Sequence, residues 1–281
     1  MNILCTGGAG FIGSHLCERL SKKHNVISID NYFTGSINNH VSNVYYLKLN
    51  TSDIFNFIFP FKPDIVFHLG EYSRVEQSFD DFETVWDFNI NGTKAVLDFC
   101  LYNKCKLIYA GSSTKYANKS DGYVQSPYAW TKANNTELVK KYGEWFGLDY
   151  AITYFYNVYG PREIESGKYA TLIAKYINLM RQGEPLPVVL PGDQTRNFTH
   201  INDIIDALEL IGYYGKGDEY GIGSRTKYTI KEVAELFTDN IVYLPERKGN
   251  RLSAEVITEK TEQLGWESKI ELKDYIQNLG F

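Results

Sequence analysis

A glycine-rich turn near the start of the chain constrains the fold more than any other segment. An apolar run typical of a buried strand, MNILCT, leads directly into GGAG, and FIGSHLCERLSKKH then places apolar side chains at helical spacing. The glycines fit Gly8-x-Gly10-x-x-Gly13 and also Gly7-x-x-Gly10-x-x-Gly13. Glycines between a strand and a helix permit a tight turn and let a phosphate approach the N–H groups of the helix N-terminus. The pattern predicts a dinucleotide-binding unit, although a glycine triplet alone can be only a turn.

Strand-like and helix-like segments alternate after this turn. NVISID, PDIVFHLG (63–70) and CKLIYAGSS (105–113) have strand character, and residues 82–103 have helical character. This order predicts a parallel sheet covered by helices on both faces. We therefore expect an α/β fold: a Rossmann-type doubly wound parallel sheet over 1–160, with a returning segment near 197–215, and a smaller C-terminal substrate-binding lobe over most of 161–281.

Composition and charge exclude several classes of function. The net charge of -5 argues against a nucleic-acid partner, since such binding uses clustered basic charge. The cysteines form no C-x-x-C pair and have no histidine at metal-ligand spacing, so we expect neither a zinc site nor a disulfide framework. Without a signal-peptide pattern or an apolar run of about 18 residues, we expect no membrane span and a cytoplasmic location.

Asp30 ends the second predicted strand, 17 residues beyond Gly13. An acidic side chain at this place accepts hydrogen bonds from the hydroxyl groups of an adenosine ribose and repels a 2′-phosphate. No Arg or Lys follows in DNYFTG. The segment therefore favours NAD over NADP, with a loop aspartate that caps a turn as the plain alternative.

The segment SPYAWTKANN (126–135) predicts a helix with candidate catalytic residues on one face. Ser126 is a candidate N-cap, Pro127 suits the first helical position, and Gly147 suits the C-terminal end. Tyr128 and Lys132 then lie one turn apart on one face. A lysine ammonium close to a tyrosine stabilises its phenolate, which can accept a proton from a substrate hydroxyl held by a serine. Alternatively, the two residues are a half-buried aromatic and a solvated charge.

Taken together, these motifs resemble the extended short-chain dehydrogenase/reductase superfamily, in particular its NAD-dependent nucleotide-sugar epimerases and dehydratases. The resemblance spans nearly the whole chain. It rests on segments that are each weak evidence alone but occur together in the family's order: TGGAGFIGSH (6–15), DNYFTG (30–35), HLGEYS (68–73), NINGT (89–93), AGSSTKY (110–116), Tyr128-x-x-x-Lys132, NVYGPR (157–162), QTRNFTHIND (194–203), LPERKGN (244–250) and LGW (264–266).

The resemblance implies a role for individual residues. Ser112, Tyr128 and Lys132 match the catalytic residues, with Ser113 as the adjacent alternative to Ser112. The implied cofactor site comprises Gly7, Gly10, Phe11, Ile12, Gly13, Asp30, Asn31, Asn50, Leu69, Gly70, Glu71, Ser73, Asn89, Tyr128 and Lys132. The implied substrate site comprises Ser113, Asn157, Val158, Arg196, Arg247 and Asn250. Glu71 stands where the family usually has a small residue, which indicates either a local peculiarity of the pocket or a plain surface charge.

Departures from the family pattern narrow the expected reaction. Ser113 and Thr114 occupy the positions of the Asp-Glu pair of the dehydratases, and Tyr154 stands where a family arginine is frequent. We therefore expect oxidation at C4 of a UDP- or GDP-linked sugar, by a 4-epimerase or a 4-dehydrogenase of polysaccharide precursor biosynthesis. An NAD(P)-binding regulator or redox sensor on the same fold, or a ketosugar reductase, is the alternative.

Two predicted helices carry more aromatic residues than one face of a sheet requires: Trp86, Phe88, Trp145 and Phe146. Members of the family commonly dimerise through these elements. We expect a homo-oligomer, with exposed aromatic residues from compositional bias as the alternative.

Overall fold

The computed structural model of the protein describes residues 1–113, 126–245 and 255–281. The sequence predictions for Thr114, Arg247 and Asn250 lie outside these residues. The strands are β1 (Asn2–Thr6), β2 (Asn25–Asp30), β3 (Val44–Lys48), β4 (Ile65–His68), β5 (Lys106–Ser112), β6 (Tyr150–Phe155), β7 (Val158–Tyr159), β8 (Leu186–Val189), β9 (Thr195–Asn197), β10 (Thr199–His200), β11 (Gly217–Ile222), β12 (Lys227–Thr229) and β13 (Ile241–Leu244).

Helices connect most of these strands. The α-helices are α1 (Phe11–Leu20), α2 (Phe82–Val85), α3 (Gly92–Asn103), α4 (Pro127–Phe146), α5 (Leu172–Gln182), α6 (Ile201–Tyr214), α7 (Ile230–Glu235), α8 (Glu259–Glu262) and α9 (Leu272–Gln277). In the part of the chain that the structure describes, no helix is both long and apolar enough to cross a bilayer.

A seven-stranded parallel sheet forms the centre of the molecule, in the order β11-β6-β5-β4-β1-β2-β3. The strand order reverses at β1, because β2 and β3 lie on one side of it and β4 to β6 on the other. Ligands of open α/β sheets bind at such a switch point, beyond the carboxyl ends of the strands. The predicted Rossmann-type fold is confirmed.

The central strands are apolar on both faces because helices cover both sides of the sheet. Along β1, Ile3 and Cys5 belong to the core that α1 and α6 cover, whereas Leu4 belongs to the opposite core beneath α3 and α4. This alternation follows from the two-residue period of a strand. Because the β1–α1 turn follows the last residue of β1, it lies at the carboxyl edge of the parallel sheet.

A third apolar core lies in the C-terminal part of the chain. It includes Tyr159, Tyr176, Phe198 and Leu272, and it packs against the short parallel pair of β8 and β13. The chain also returns to the central sheet through α6, which packs in the α1 core, and β11, which pairs with β6. These two returning elements cover 201–214 and 217–222.

Candidate active site

A cavity of about 1460 Å³ opens at the carboxyl edge of the central sheet and extends toward the C-terminal core. Its volume exceeds what one drug-sized ligand needs. The predicted site residues that line it are Gly7, Gly10, Phe11, Ile12, Gly13, Asp30, Asn31, Leu69, Gly70, Glu71, Ser73, Ser112, Ser113, Tyr128, Lys132, Asn157, Val158 and Arg196. The structure therefore brings most of the predicted residues to one place.

The turn between β1 and α1 has the close backbone packing that its glycines predict. Gly7 has a φ of +73°, and a Cβ there would lie 2.8 Å from the Cα of Gly70. A Cβ on Gly13 would lie only 2.1 Å from the carbonyl oxygen of Gly7. Side chains are thus excluded from the turn, which leaves the N-terminus of α1 accessible to a pyrophosphate. This part of the cavity fits a dinucleotide.

Asp30 lies at the end of β2 with its carboxylate largely buried. Its oxygens accept hydrogen bonds from the backbone amides of Ala9 at 2.9 Å and Tyr32 at 2.8 Å. Burial raises the pKa of Asp30, and the two amides oppose this shift. A carboxylate can accept further hydrogen bonds, so Asp30 retains capacity for the hydroxyl groups of a ribose.

Two predicted cofactor residues lie behind the cavity wall. The side-chain oxygen of Asn50 accepts a hydrogen bond from the side-chain amide of Asn31 at 3.0 Å. Asn89 is fully buried; its side chain accepts from the amide of Tyr72 at 2.7 Å and donates to the Thr131 hydroxyl at 2.9 Å. The Asn89 contacts join the loop after β4 to the start of α4.

The first turns of α4 present Tyr128 toward the end of β5. The Ser126 hydroxyl accepts a hydrogen bond from the Ala129 amide at 3.1 Å, and Pro127 occupies the first turn, so the predicted cap is confirmed. The Tyr128 hydroxyl donates to Ser112 Oγ at 3.4 Å. Lys132 follows one turn later, almost fully buried. The serine, tyrosine and lysine thus all line the same cavity.

Glu71 is the unexpected member of this cluster. Its carboxylate forms an ion pair with the Lys132 ammonium, and each side chain is only 4% exposed. Lys132 also donates to the carbonyl oxygen of Ala110. The interpretation of Glu71 as a plain surface charge is therefore wrong, since its side chain is buried at the centre of the site.

Three of the predicted substrate residues, Asn157, Val158 and Arg196, line the end of the cavity nearest the C-terminal core. Asn157 directly precedes β7, which begins at Val158, and the Asn157 side chain donates to the Asn197 carbonyl oxygen at 2.9 Å. Arg196 lies on β9 and donates to the carbonyl oxygen of Thr195 at 2.8 Å. These residues bring polar groups from the C-terminal half of the chain to the same cavity as the glycine turn.

Sequence reasoning missed three charged residues of the cavity wall, Arg74, Glu76 and Glu163. Arg74 donates to the Tyr169 carbonyl oxygen through Nε at 3.0 Å and Nη2 at 2.8 Å. Glu163 accepts from the Gly160 amide at 2.8 Å, and burial raises its pKa to about 7. Arg74 and Glu163 each directly follow a family-like segment, HLGEYS or NVYGPR, and that adjacency was the available signal.

A Rossmann sheet with a Tyr-x-x-x-Lys helix beside a buried serine defines a class of nicotinamide-dependent oxidoreductases. The model of the NAD dependent epimerase/dehydratase family matches residues 3–223. The chain belongs to this family, and NAD is its cofactor. Both predictions made from the sequence are confirmed.

Curated relatives match across most of the chain. A putative UDP-glucose 4-epimerase of Methanocaldococcus jannaschii is 28% identical over 99% of this chain and 96% of the relative. A UDP-N-acetyl-alpha-D-glucosaminuronate decarboxylase of Bacillus cytotoxicus is 31% identical, over 83% of this chain and 78% of the relative. These relatives are thus named for different reactions.

Solved structures confirm the fold in detail. The UDP-glucose 4-epimerase of Thermotoga maritima, crystallised with UDP-glucose, superposes with a TM-score of 0.91 at 26% identity, and the match covers 99% of this chain and 96% of that one. The UDP-glucose 4-epimerase of Thermus thermophilus, in complex with NAD, gives a TM-score of 0.88 at 25% identity over 99% of this chain and 97% of that one.

Proposed function

We propose that the protein oxidises C4 of a nucleotide-activated sugar, as an NAD-dependent 4-epimerase or 4-dehydrogenase of polysaccharide precursor biosynthesis. The observation that carries the proposal is the approach of the Tyr128 hydroxyl to Ser112 in a cavity that also holds the glycine turn. An acid/base group and a hydroxyl-binding group are thus placed where open α/β sheets bind ligands.

In this proposal each residue of the cluster has a separate task. Ser112 donates a hydrogen bond to the sugar oxygen and orients it. Tyr128, as the phenolate, removes the proton from the C4 hydroxyl and returns it in the reverse step. The nearby ammonium of Lys132 stabilises the phenolate form of Tyr128.

Cofactor binding is assigned to the other half of the cavity. The amide groups at the start of α1 hold the pyrophosphate, and Asp30 accepts hydrogen bonds from the adenosine ribose. When bound, NAD supplies the hydride acceptor for C4. Arg196 is assigned to the diphosphate of the sugar nucleotide, because a guanidinium matches phosphate geometry.

The two outcomes at C4 differ in the fate of the ketone. An epimerase retains the 4-keto sugar, which turns over and is reduced on its other face, whereas a dehydrogenase releases it. Similarity to UDP-glucose 4-epimerases over nearly the whole chain supports the epimerase. The residues at the dehydratase Asp-Glu positions, Ser113 and Thr114, argue against water removal.

A panel of sugar nucleotides tests the proposal. UDP-glucose, its C4 epimer, UDP-N-acetylglucosamine and GDP-hexoses are incubated with the protein and NAD, and the products are followed by NMR. Interconversion of two C4 epimers without accumulation of NADH identifies the epimerase, and a 4-keto product with equivalent NADH identifies the dehydrogenase. No turnover of any member contradicts both.

Tyr128→Phe tests the assigned base directly. We expect kcat to fall by about 10² to 10⁴, the usual contribution of a positioned acid/base group, while NAD still binds. Tyr102→Phe is the matched control, because Tyr102 is 80% exposed on α3. A biological role that survives Tyr128→Phe unchanged would favour an NAD-binding regulator over an enzyme.

A further inference from the structure

We propose that Glu71 is a positioning residue: it is the fixed counterion of Lys132, and it sets the pH range in which Tyr128 and Lys132 work together. The inference rests on the function proposed above, because the catalytic role of Lys132 belongs to that proposal. The ion pair on which it depends is a separate, structural observation.

Glu71 and Lys132 are two buried groups of opposite charge, and burial makes their pairing essential. The side chains of Glu71 and Lys132 are each 4% exposed. A charge removed from water is strongly destabilising unless it is paired and hydrogen-bonded. Each side chain therefore depends on the other, because the further contacts of the Lys132 ammonium, the carbonyl oxygen of Ala110 and the ring of Tyr109, carry no full negative charge.

The second step concerns how firmly Glu71 is held. Its Oε1 accepts hydrogen bonds from Thr93 at 2.9 Å, Tyr109 at 3.1 Å and Asn135 at 3.0 Å. The donors come from three elements, α3, β5 and α4. Donors on three separate elements fix the position of the carboxylate. Glu71 is thus a rigidly held acidic partner of Lys132.

The third step concerns the other titratable groups around Lys132. Burial lowers the pKa of His68 on β4 to about 4, so its ring is neutral at neutral pH. The Tyr109 ring on β5 lies with its centroid 4.4 Å from the Lys132 ammonium, and burial raises the pKa of its hydroxyl. Tyr128 lies on α4 itself, and Arg74, in the loop after β4, interacts electrostatically with Tyr128. Glu71 is the carboxyl group in direct contact with the Lys132 ammonium.

The consequence is a defined effect on ionisation. Burial lowers the pKa of Lys132, and the charge and hydrogen bond of Glu71 oppose that shift. The same negative charge also makes a phenolate at Tyr128 less favourable. Without it, the ammonium is lost more easily and the phenolate forms more easily. Both limbs of the pH–rate profile should then move to lower pH.

The pH dependence of kcat/KM tests this expectation with three variants. Glu71→Gln removes the charge and keeps the size and the acceptor oxygen, so both limbs should move down by about one pH unit or more. Glu71→Asp restores the charge and should restore the profile. Glu83→Gln, at an exposed position on α2, is the control and should leave the profile unchanged. An unshifted profile, or an equal loss of activity at every pH in both Glu71 variants, would overturn the proposal.

A stability measurement keeps the inference testable without a substrate. Lys132→Met leaves Glu71 buried and unpaired, so the melting temperature should fall by roughly 10 °C. Adding Glu71→Gln to Lys132→Met should recover most of that fall. If the changes in melting temperature caused by the two substitutions simply add in the double variant, the counterion role is refuted. Restored stability in the double variant, combined with a parent protein that turns over no sugar nucleotide, would refute the proposed function alone.

Discussion

At the scale of single residues, the carboxylate of Asp30 is anchored by amides from two different loops. The Ala9 amide belongs to the glycine turn and the Tyr32 amide to the loop after β2. Gly35 also approaches it closely, since a Cβ there would lie 2.8 Å from the carboxylate. Asp30 therefore organises the loops around it in addition to its proposed contact with ribose.

Replacing Asp30 should change cofactor preference. In Asp30→Ser we expect NAD affinity to fall about 10-fold or more, the value of a hydrogen bond to a charged group, and NADP affinity to rise because repulsion of the 2′-phosphate is lost. Fluorescence titration with both cofactors measures the ratio. Asp149→Asn, at an exposed position, is the control. An unchanged ratio would place the adenosine ribose elsewhere.

Glu163 should make stability depend on pH. Its folded pKa of about 7 exceeds the ordinary value of 4.5 because of burial. The folded state therefore binds more protons than the unfolded state between these values, and stability decreases as pH rises through this window. Glu163→Gln should remove about 1–3 kcal/mol of this decrease between pH 5 and pH 8, measured by urea unfolding.

The control for Glu163 is Glu184→Gln, which neutralises an exposed carboxyl after α5. It should leave the difference between pH 5 and pH 8 within about 0.5 kcal/mol. A Glu163→Gln variant that retains the whole pH dependence of the parent would show that another group titrates in this window.

The candidate site could be predicted only where its residues are close in sequence or fall in a known pattern. Tyr128 and Lys132 could be paired because four residues make one helical turn. Glu71 lies 61 residues from Lys132, and its pairing depends on how β4 and α4 approach each other in the folded sheet. Neither the helical nor the strand repeat relates two residues 61 positions apart. The ion pair therefore could not be predicted from the sequence.

At the scale of elements, α4 depends on a defined start. Ser126 is buried, and its hydroxyl accepts a hydrogen bond from the Ala129 amide; the helix that follows carries Tyr128. Ser126→Ala should cost about 1 kcal/mol of unfolding free energy, which corresponds to a melting temperature lower by about 2–4 °C. Calorimetry measures the change, and Ser126→Thr should retain most of the stability. An alanine variant as stable as the parent would show that the cap contributes little.

Most elements of the N-terminal half were predicted correctly, and the errors have local causes. The predicted helix over 82–103 is divided by a π-helical segment, Trp86–Asn91, which buries Asn89 against the loop after β4. The apolar run 148–160 forms two strands, β6 and β7, and the positive φ of Asn157 marks the break between them. No strand was predicted at β3, an edge strand that is only partly buried.

At the scale of the whole molecule, the cavity draws on both halves of the chain. The glycine turn and α4 belong to the central sheet, whereas Arg196 and Val158 lie on short strands beside the C-terminal core. Opposed groups from two cores suit a ligand that is long and has two chemically distinct ends. The division into a cofactor domain and a substrate lobe remains our proposal for how the cavity is used.

An exposed aromatic surface on α4 and the neighbouring π-helical segment predicts self-association. The Trp86 and Trp130 rings stack with centroids 5.9 Å apart and are 39% and 43% exposed. Trp145 and Phe146, at the end of α4, are 60% and 59% exposed. Phe88 differs, because it packs on Phe33 and lines the cavity. Large aromatic side chains clustered on one surface are typical of protein interfaces.

We therefore expect a dimer or higher oligomer in sedimentation equilibrium. Trp86→Asp together with Trp130→Asp should weaken association by about 30-fold or more, because a twofold interface presents the same patch twice and central aromatic residues dominate its binding energy. Ile58→Asp is the control, since Ile58 is 94% exposed and lies outside these helices. A parent protein that sediments as a monomer would refute the prediction, and equal weakening by Ile58→Asp would move the interface away from the tryptophan pair.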